Sequence, residues 1–496
     1  MKFQWKKLSL VVAALMLLSI PLTAQAFTIG TPTFDDVYKQ LGKYIMLTPG
    51  KFAGTVAAHD MSTGKTLAWI SFVNYGDTNP IIHHIAAYPS EDPYKGFEYV
   101  VNSQGGKNLY IYGVPTKVKH PGEGFHIYKV KYDGTKMNLI EDAAETTGLG
   151  LGVHVTIAPD AQKFAIGDGQ KDITAVYTRE TPSKVLAALH FDWIPNIKTN
   201  KEAWTGGGRL IVKKIHPDSK TGRYDLEGTK GAKIDWELVP GGELFIEDGK
   251  VSGPRQQNVC ALDALVWHPG GKYGVVSLRT IGAGVIVDTT TYNPIGIILG
   301  PKKVAGVYPL KQLDKETWEY DIDHVLSPAH QAGFSPDGKH FLLMNGVREN
   351  NIMVFDSTNP DPLKWKQKAV VEQPHWRGAY PNTFHMGFTP DSKKVYVTLW
   401  WPSPTPNGVA VVDAVNWKVI KEIEVGPDAH TLGATGDGKH IFGVISGYQK
   451  TTSAIYIIDV KTDKLMGFLP SGQGHHDSVI IPRNNKELLI SRSPTT

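Results

Sequence analysis

Cysteine is almost missing: Cys260 is the only one in 496 residues. No internal disulfide can form, so stability has to come from a packed core. Zinc ribbons, iron–sulfur clusters and two-cysteine dicopper centres are excluded, and any metal must be held mainly by histidine and carboxylate. Sustained 3.6-residue periodicity is missing too, apart from "FDDVYKQLGKY" starting at Phe34. Apolar runs long enough to span a membrane are missing beyond the N-terminal segment. In that segment Lys6 and Lys7 precede "LSLVVAALMLLSI", and Ala24-Gln25-Ala26 is a small-x-small cleavage signal. With no twin-arginine pair, residues 1–26 read as a Sec-type signal peptide cut before Phe27. The mature chain, 27–496, is then expected outside the cytoplasm, in the periplasm of a Gram-negative host. Lys2, Lys6 and Lys7 leave with the signal, bringing 52 basic against 48 acidic residues close to balance. Charge therefore gives no argument for nucleic acid or an anionic membrane as partner.

What is present is turn and strand chemistry. The chain has 51 Gly and 32 Pro. It has short β-rich runs such as "YGVVSL", "NIMVFDS" and "KVYVTLW", bounded by turn residues. An aspartate that ends one strand, a turn and a new strand recur in "IMVFDSTN", "VAVVDAVNWKVIKEIEV" and "IYIIDVKTDKLMGFL". Turn-bearing units recur as well: "IAPDAQKFAIGDG", "WHPGGKYGVVSL", "FSPDGKHFLLMN", "FTPDSKKVYVTL", "ATGDGKHIFGVI" and "IPRNNKELLISR". "AAYPSEDPYKGFEYVVNS" is an expanded seventh member. Repeats of this kind predict an all-β fold, a seven-bladed β-propeller forming one domain, with an insertion over about 186–253.

The residues in front of these turns carry the chemistry. His84, His154, His330, His385 and His476 each precede the turn proline by five or six residues, and Asp263 does so in "DALVWHPGG". His430 stands as far before Asp437 as His330 stands before Asp337. In a propeller this register is the channel end of each innermost strand, so seven side chains would converge on the axis. A lone histidine before such a turn is ordinarily structural, but structural use does not require the same polar type in every repeat. Imidazoles and a carboxylate without cations among them suit metal ions, copper most tightly. Seven ligands exceed one tetrahedral site and suit a cluster of two to four ions. His83 and His475 each adjoin a register member, and alternation in a strand turns them to the other face unless the register slips. His268, His340 and His440 lie at or after the turns and read as structural or exposed.

With these motifs in place the chain resembles a known family. "NPIIHHIAAYP", "GVHVTIAPD", "SPAHQAGFSPDGK", "NTFHMGFTPD", "DAHTLGATGDGK" and "GQGHHDSVIIP" resemble the propeller of nitrous-oxide reductases, and more closely the related copper-dependent thiocyanate dehydrogenases. No C-terminal cupredoxin domain with paired cysteines is present, and Asp263 replaces one histidine. Both departures favour the dehydrogenase. The resemblance covers essentially the whole mature chain. It implies about three copper ions held by His84, His154, Asp263, His330, His385, His430 and His476. It implies oxidation of thiocyanate with water to cyanate and elemental sulfur. The two electrons go to an external acceptor, a periplasmic cytochrome c, and the enzyme is a homodimer. It further implies catalytic roles for Lys51 as anion holder, for Glu237 as proton acceptor (Asp235 or Glu243 being the alternatives), and for His430 beside its ligand role. The competing expectations are a reductase of a small inert molecule such as nitrous oxide, and a non-catalytic metal-binding exported propeller.

Overall fold

The computed structural model describes residues 34–490 apart from internal segments, of which the longest are 196–206, 225–245, 252–259 and 374–381. Residues 1–26, expected to be a signal peptide, lie outside the described residues, as do Asp235, Glu237, Glu243, His475 and the side chain of His330.

The turns set the frame. Gly271, Gly338 and Gly438 take φ of 74°, 71° and 69°, and Ala161 and Ser392 take 55° and 58° at the same place in their turns. Each of these residues donates its N–H to the carbonyl three residues back, at 2.7–2.9 Å. That geometry favours glycine, and three of the five sites have it. A strand enters and leaves each turn, and the hairpins build antiparallel sheets.

Among the described residues there are seven sheets of four or more strands and two two-stranded ribbons. The strand that enters the turn is the first strand of its sheet. In chain order these first strands are β1 (Ile82–Ala87), β2 (His154–Ile157), β3 (Leu262–Trp267), β4 (Ala329–Phe334), β5 (Asn382–Phe388), β6 (Ala429–Ala434) and β7 (Val479–Ile480). β1 packs on β2, β2 on β3, and so on to β6, while β7 packs back on β1. The sheet of β2 runs to seven strands: its fourth, Val185–Pro195, pairs onward with Gly208–Lys214, Thr317–Ile322 and Lys311–Gln312.

The last sheet is assembled differently from the sequence expectation. "IPRNNKELLISR" was expected to continue from turn into strand, but Asn485–Leu488 is a one-turn helix capped by the Asn484 side chain. Local capping wins there. β7 pairs instead with Ile45–Gly50, which leads on to Thr55–Asp60 and Thr66–Ser71. The helix expected near the mature N-terminus is present as Phe34–Gln40.

Each sheet is covered on both faces by its neighbours, which is why "FLLM" in His340–Asn345 is apolar at every position. Phe341, Leu342, Leu343 and Met344 are all fully buried. Residues of consecutive sheets share clusters, as where Tyr88 and Val100 meet Val155, Phe164 and Tyr177. Burying one such side chain contributes about 1.5–3 kcal/mol. The result is an all-β chain of propeller type whose first strands lie side by side.

Candidate metal centre

The first strands bend where the candidate ligands stand. Pairing register slips between Ile82 and Ile85, Leu262 and Leu265, Ala329 and Gln331, Thr383 and Met386, and Ala429 and Leu432. Each slip encloses a register residue: His84, Asp263, His330, His385 or His430. A bulge takes residues out of the ladder and re-aims their side chains. Amides released from the ladder find side-chain acceptors on the next strand: His84 N–H donates to Asn102 Oδ1 at 2.7 Å, and His385 N–H to Thr398 Oγ1 at 2.8 Å. His154 opens β2 in regular pairing with Gly167. A Cβ on Gly167 would lie 2.4 Å from the Asp263 carbonyl oxygen, so glycine is what lets β3 come this close.

These side chains form an unbroken arc. Asp263 Oδ1 is 3.3 Å from His154 Nε2. The ring of His154 lies 4.0 Å from that of His84, and His84 lies 4.9 Å from His476. His476 is 4.0 Å from His430, and His430 is 4.5 Å from His385. All six are buried. β4, which carries His330, lies between β3 and β5 and so between the two ends of the arc. Lys51 follows Ile45–Gly50, is 2% exposed and accepts the Ile82 N–H on its carbonyl, next to His83.

His83 belongs to this group, contrary to the alternation expected of a plain strand. Its ring stacks 4.1 Å from His476 and lies 4.4 Å from His84. One nitrogen from each of His83, His84 and His154 falls within 4.8 Å of the others. The bulge between Ile82 and Ile85 lets adjacent residues share a side. No sequence signal marks that bulge beyond the doubled histidine itself.

Partners on the far nitrogens orient the rings. His84 Nδ1–H donates to Asp477 Oδ2 at 3.1 Å, and the same oxygen accepts the Ile85 N–H at 3.1 Å. His430 Nδ1–H donates to the His476 carbonyl at 3.1 Å, which also accepts Thr431 Oγ1–H. Such bonds fix the tautomer and leave the Nε2 lone pair for a metal. His385 differs. Gln331 Oε1 accepts the Met386 N–H at 2.8 Å, so its amide nitrogen faces His385 Nδ1 at 2.8 Å and donates to it. Metal binding through Nε2 of His385 would require the Gln331 amide to turn over and give up the Met386 N–H bond. Asp477 and Gln331 escaped the sequence reading because they come from other repeats than the rings they hold.

Burial lowers the pKa of His385, His430 and His476, and neighbouring imidazoles lower it further. The rings are therefore neutral near pH 7, the state in which imidazole ligates. Burial pushes the Asp263 carboxyl well up, against the opposing charge of Arg279. Its Oδ2 meets no hydrogen-bond donor among the described residues. Neutral buried imidazoles around a buried carboxylate with an oxygen to spare fit a metal cation and would be costly otherwise.

Among the described residues, His268, His340 and His126 stand away from the arc. His268 Nε2 lies 3.1 Å from the Gly338 carbonyl and its ring packs on Phe334 and Trp365, tying two sheets together. His340 meets Trp417 edge-on at 5.0 Å. His126 groups with Asp142 and Glu145. There Asp142 also caps the helix Ala143–Thr147.

No family model and no curated protein matches the chain. Solved structures match it along most of its length. A candidate 6-phosphogluconolactonase of Bacteroides uniformis is 10% identical, with 89% of this chain and 100% of that one covered and a TM-score of 0.51. A protein of Lactobacillus plantarum is 10% identical, with 88% and 99% covered and a TM-score of 0.53. These likenesses concern the fold.

Proposed function

We propose that the chain is a seven-bladed propeller whose first strands carry a copper centre on the axis, and that it is an exported oxidoreductase converting thiocyanate and water to cyanate and elemental sulfur. The observation that supports this reading above others is the buried arc from Asp263 through His154, His84, His476 and His430 to His385. The ligand set is His84, His154, Asp263, His330, His385, His430 and His476, with His83 close enough to join it. Copper, when bound, supplies two-electron oxidising capacity and activation of water.

The chain's own residues do the rest. Lys51 is buried, and its positive charge helps to lower the pKa of His430 and His476. It is placed to hold an anionic substrate by charge and hydrogen bonding. Asp477 and the His476 carbonyl keep two rings in the ligating tautomer. Glu237 is assigned the protons released as water adds to the thiocyanate carbon and the carbon–sulfur bond breaks. In balance, thiocyanate and one water give cyanate, sulfur, two protons and two electrons. The electrons pass to an acceptor of cytochrome c type.

The test is metal content by mass spectrometry on the mature protein after copper loading, followed by an assay for cyanate and sulfur. About three coppers per chain with thiocyanate-dependent turnover is the expected result. Loading without turnover would leave a binding propeller, and no loading would leave the histidines structural.

A further inference from the structure

The turn ends of the first strands are covered by a segment that belongs to none of the sheets. After β7 the chain passes the turn that follows β1, where the Pro482 carbonyl accepts the Ser90 N–H at 2.8 Å, and enters the helix Asn485–Leu488. Leu488, Leu489 and Ile490 then meet different sheets. Leu488, 4% exposed, shares a buried cluster with Ile157 of β2 and Phe164 of the strand after it. Leu489 lines a cavity of about 40 Å³ together with Thr156, Trp267 and Phe334, which come from β2, β3 and β4. Ile490, 2% exposed, shares a cluster with Leu432 and Ala434 of β6, and its carbonyl accepts the Ala434 N–H at 3.4 Å. β2 and β6 are not neighbours: β3, β4 and β5 lie between them on one side, β1 and β7 on the other. A segment that reaches both must cross the space that the first strands enclose.

One break in the repeat makes room for it. The turn after β6 reads "TGDGK" where the turn after β4 reads "SPDGK". A Cβ on Gly436 would lie 2.5 Å from the Glu487 carboxyl carbon, so a ring like that of Pro336 would collide there. Glu487 in turn accepts the Arg483 N–H at 2.8 Å and gives its own N–H to Asn484 Oδ1 at 3.0 Å, which pins the short helix. His154 stands three residues before Ile157 and His430 four before Ala434. At about 3.3 Å per residue the segment lies roughly 10–13 Å from the arc. In that interval Thr156 Oγ1–H donates to the Leu265 carbonyl at 2.7 Å and accepts Trp267 Nε1–H at 3.0 Å, stitching β2 to β3. The cavity beside Leu489 has room for roughly three waters.

We infer that residues 484–490 are a stopper: they close the turn end of the space between the first strands, keep bulk water from the underside of the arc, and leave the cluster end as the way in for ions and small molecules. This closure does not depend on whether the arc holds copper, and its test is made on metal-free protein.

The probe is iodoacetamide, small and uncharged, acting on a thiol introduced by Thr156→Cys between stopper and arc. Labelling rates are read peptide by peptide by mass spectrometry, and the buried Cys260 reports any general loosening of the fold. In the full chain the new thiol is expected to react as slowly as Cys260. In a chain that stops at Arg483 it should react at least about tenfold faster while Cys260 does not change, which corresponds to losing one modest closing interaction. If Cys260 accelerates as well, the shortened chain has loosened throughout, and Leu489→Ala, a milder change at a half-buried position, decides instead. Fast labelling at position 156 in the full chain would overturn the stopper, and so would an unchanged rate in the variant that stays folded.

Discussion

The two ends of the first strands are built on opposite principles. At the turn end the side chains that shape each turn are settled within a few residues. Ser335 Oγ–H donates to Asp337, Asp337 accepts the Lys339 N–H, and Ser335 Oγ accepts the His340 N–H. Thr389 with Asp391 and Thr435 with Asp437 repeat the pattern. At the cluster end the ladder is interrupted and polar groups are satisfied from far along the chain: His84 by Asp477, His385 by Gln331, Cys260 N–H by Asp172. Local satisfaction makes a scaffold that tolerates change. Long-range satisfaction gathers buried polar groups that no local turn would assemble, and it marks the site.

The comparison can be broken most severely at the cluster end. His84→Ala is expected to abolish copper binding and turnover while leaving the far-ultraviolet circular dichroism of the sheets intact. Full metal occupancy in this variant would end the cluster assignment. Asp477→Asn removes the acceptor that fixes the His84 tautomer, and a loss of about 10–100-fold in copper affinity is expected, read by competition with a chelator. Gly167→Ala would drive a methyl group into the Asp263 carbonyl and should cost about 1–3 kcal/mol in chemical denaturation, together with a drop in bound copper. A turn-end change should separate the two principles. Asp437→Ala is expected to cost about 1 kcal/mol and leave copper content unchanged.

Acid should act at the turn end in the same sense. Burial alone would raise the Asp437 pKa, but the Thr435 hydroxyl, the Lys439 amide and the charges of Lys439 and His440 together lower it. Its stabilising contribution is present above the unfolded carboxyl value, near 4, and is lost as pH falls through the lowered folded value. Denaturation midpoints of wild type and Asp437→Ala should therefore converge below about pH 4, and a constant gap would contradict this. The smallest effect belongs to Lys339→Ala, whose ammonium lies 3.5 Å from Asp337 on an exposed turn. A change within about 0.5 kcal/mol is expected.

The same contrast explains what could be read in advance. Proline, aspartate and glycine write their turns locally, so counting back from them located His84, His154, Asp263, His385 and His430 at the ends that converge. His83 was hidden by a bulge, a two-strand property that periodicity along one strand does not encode. Asp477 and Gln331 bond rings from other repeats, and nothing near them in sequence names those rings. The seventh repeat misled for a related reason: its turn resembles the others, but its partners, Ile45–Gly50 onward, lie more than four hundred residues away.

That last pairing bears on the order of events. β7 docks on Ile45–Gly50, and His476 stands just before β7. Until that seam closes, the arc lacks the member that bridges His84 and His430. A half-assembled chain thus has no complete cage in which to trap a stray ion. If the proposed copper centre holds, uptake of the metal would act as a clock, starting only when the first and last parts of the chain have met.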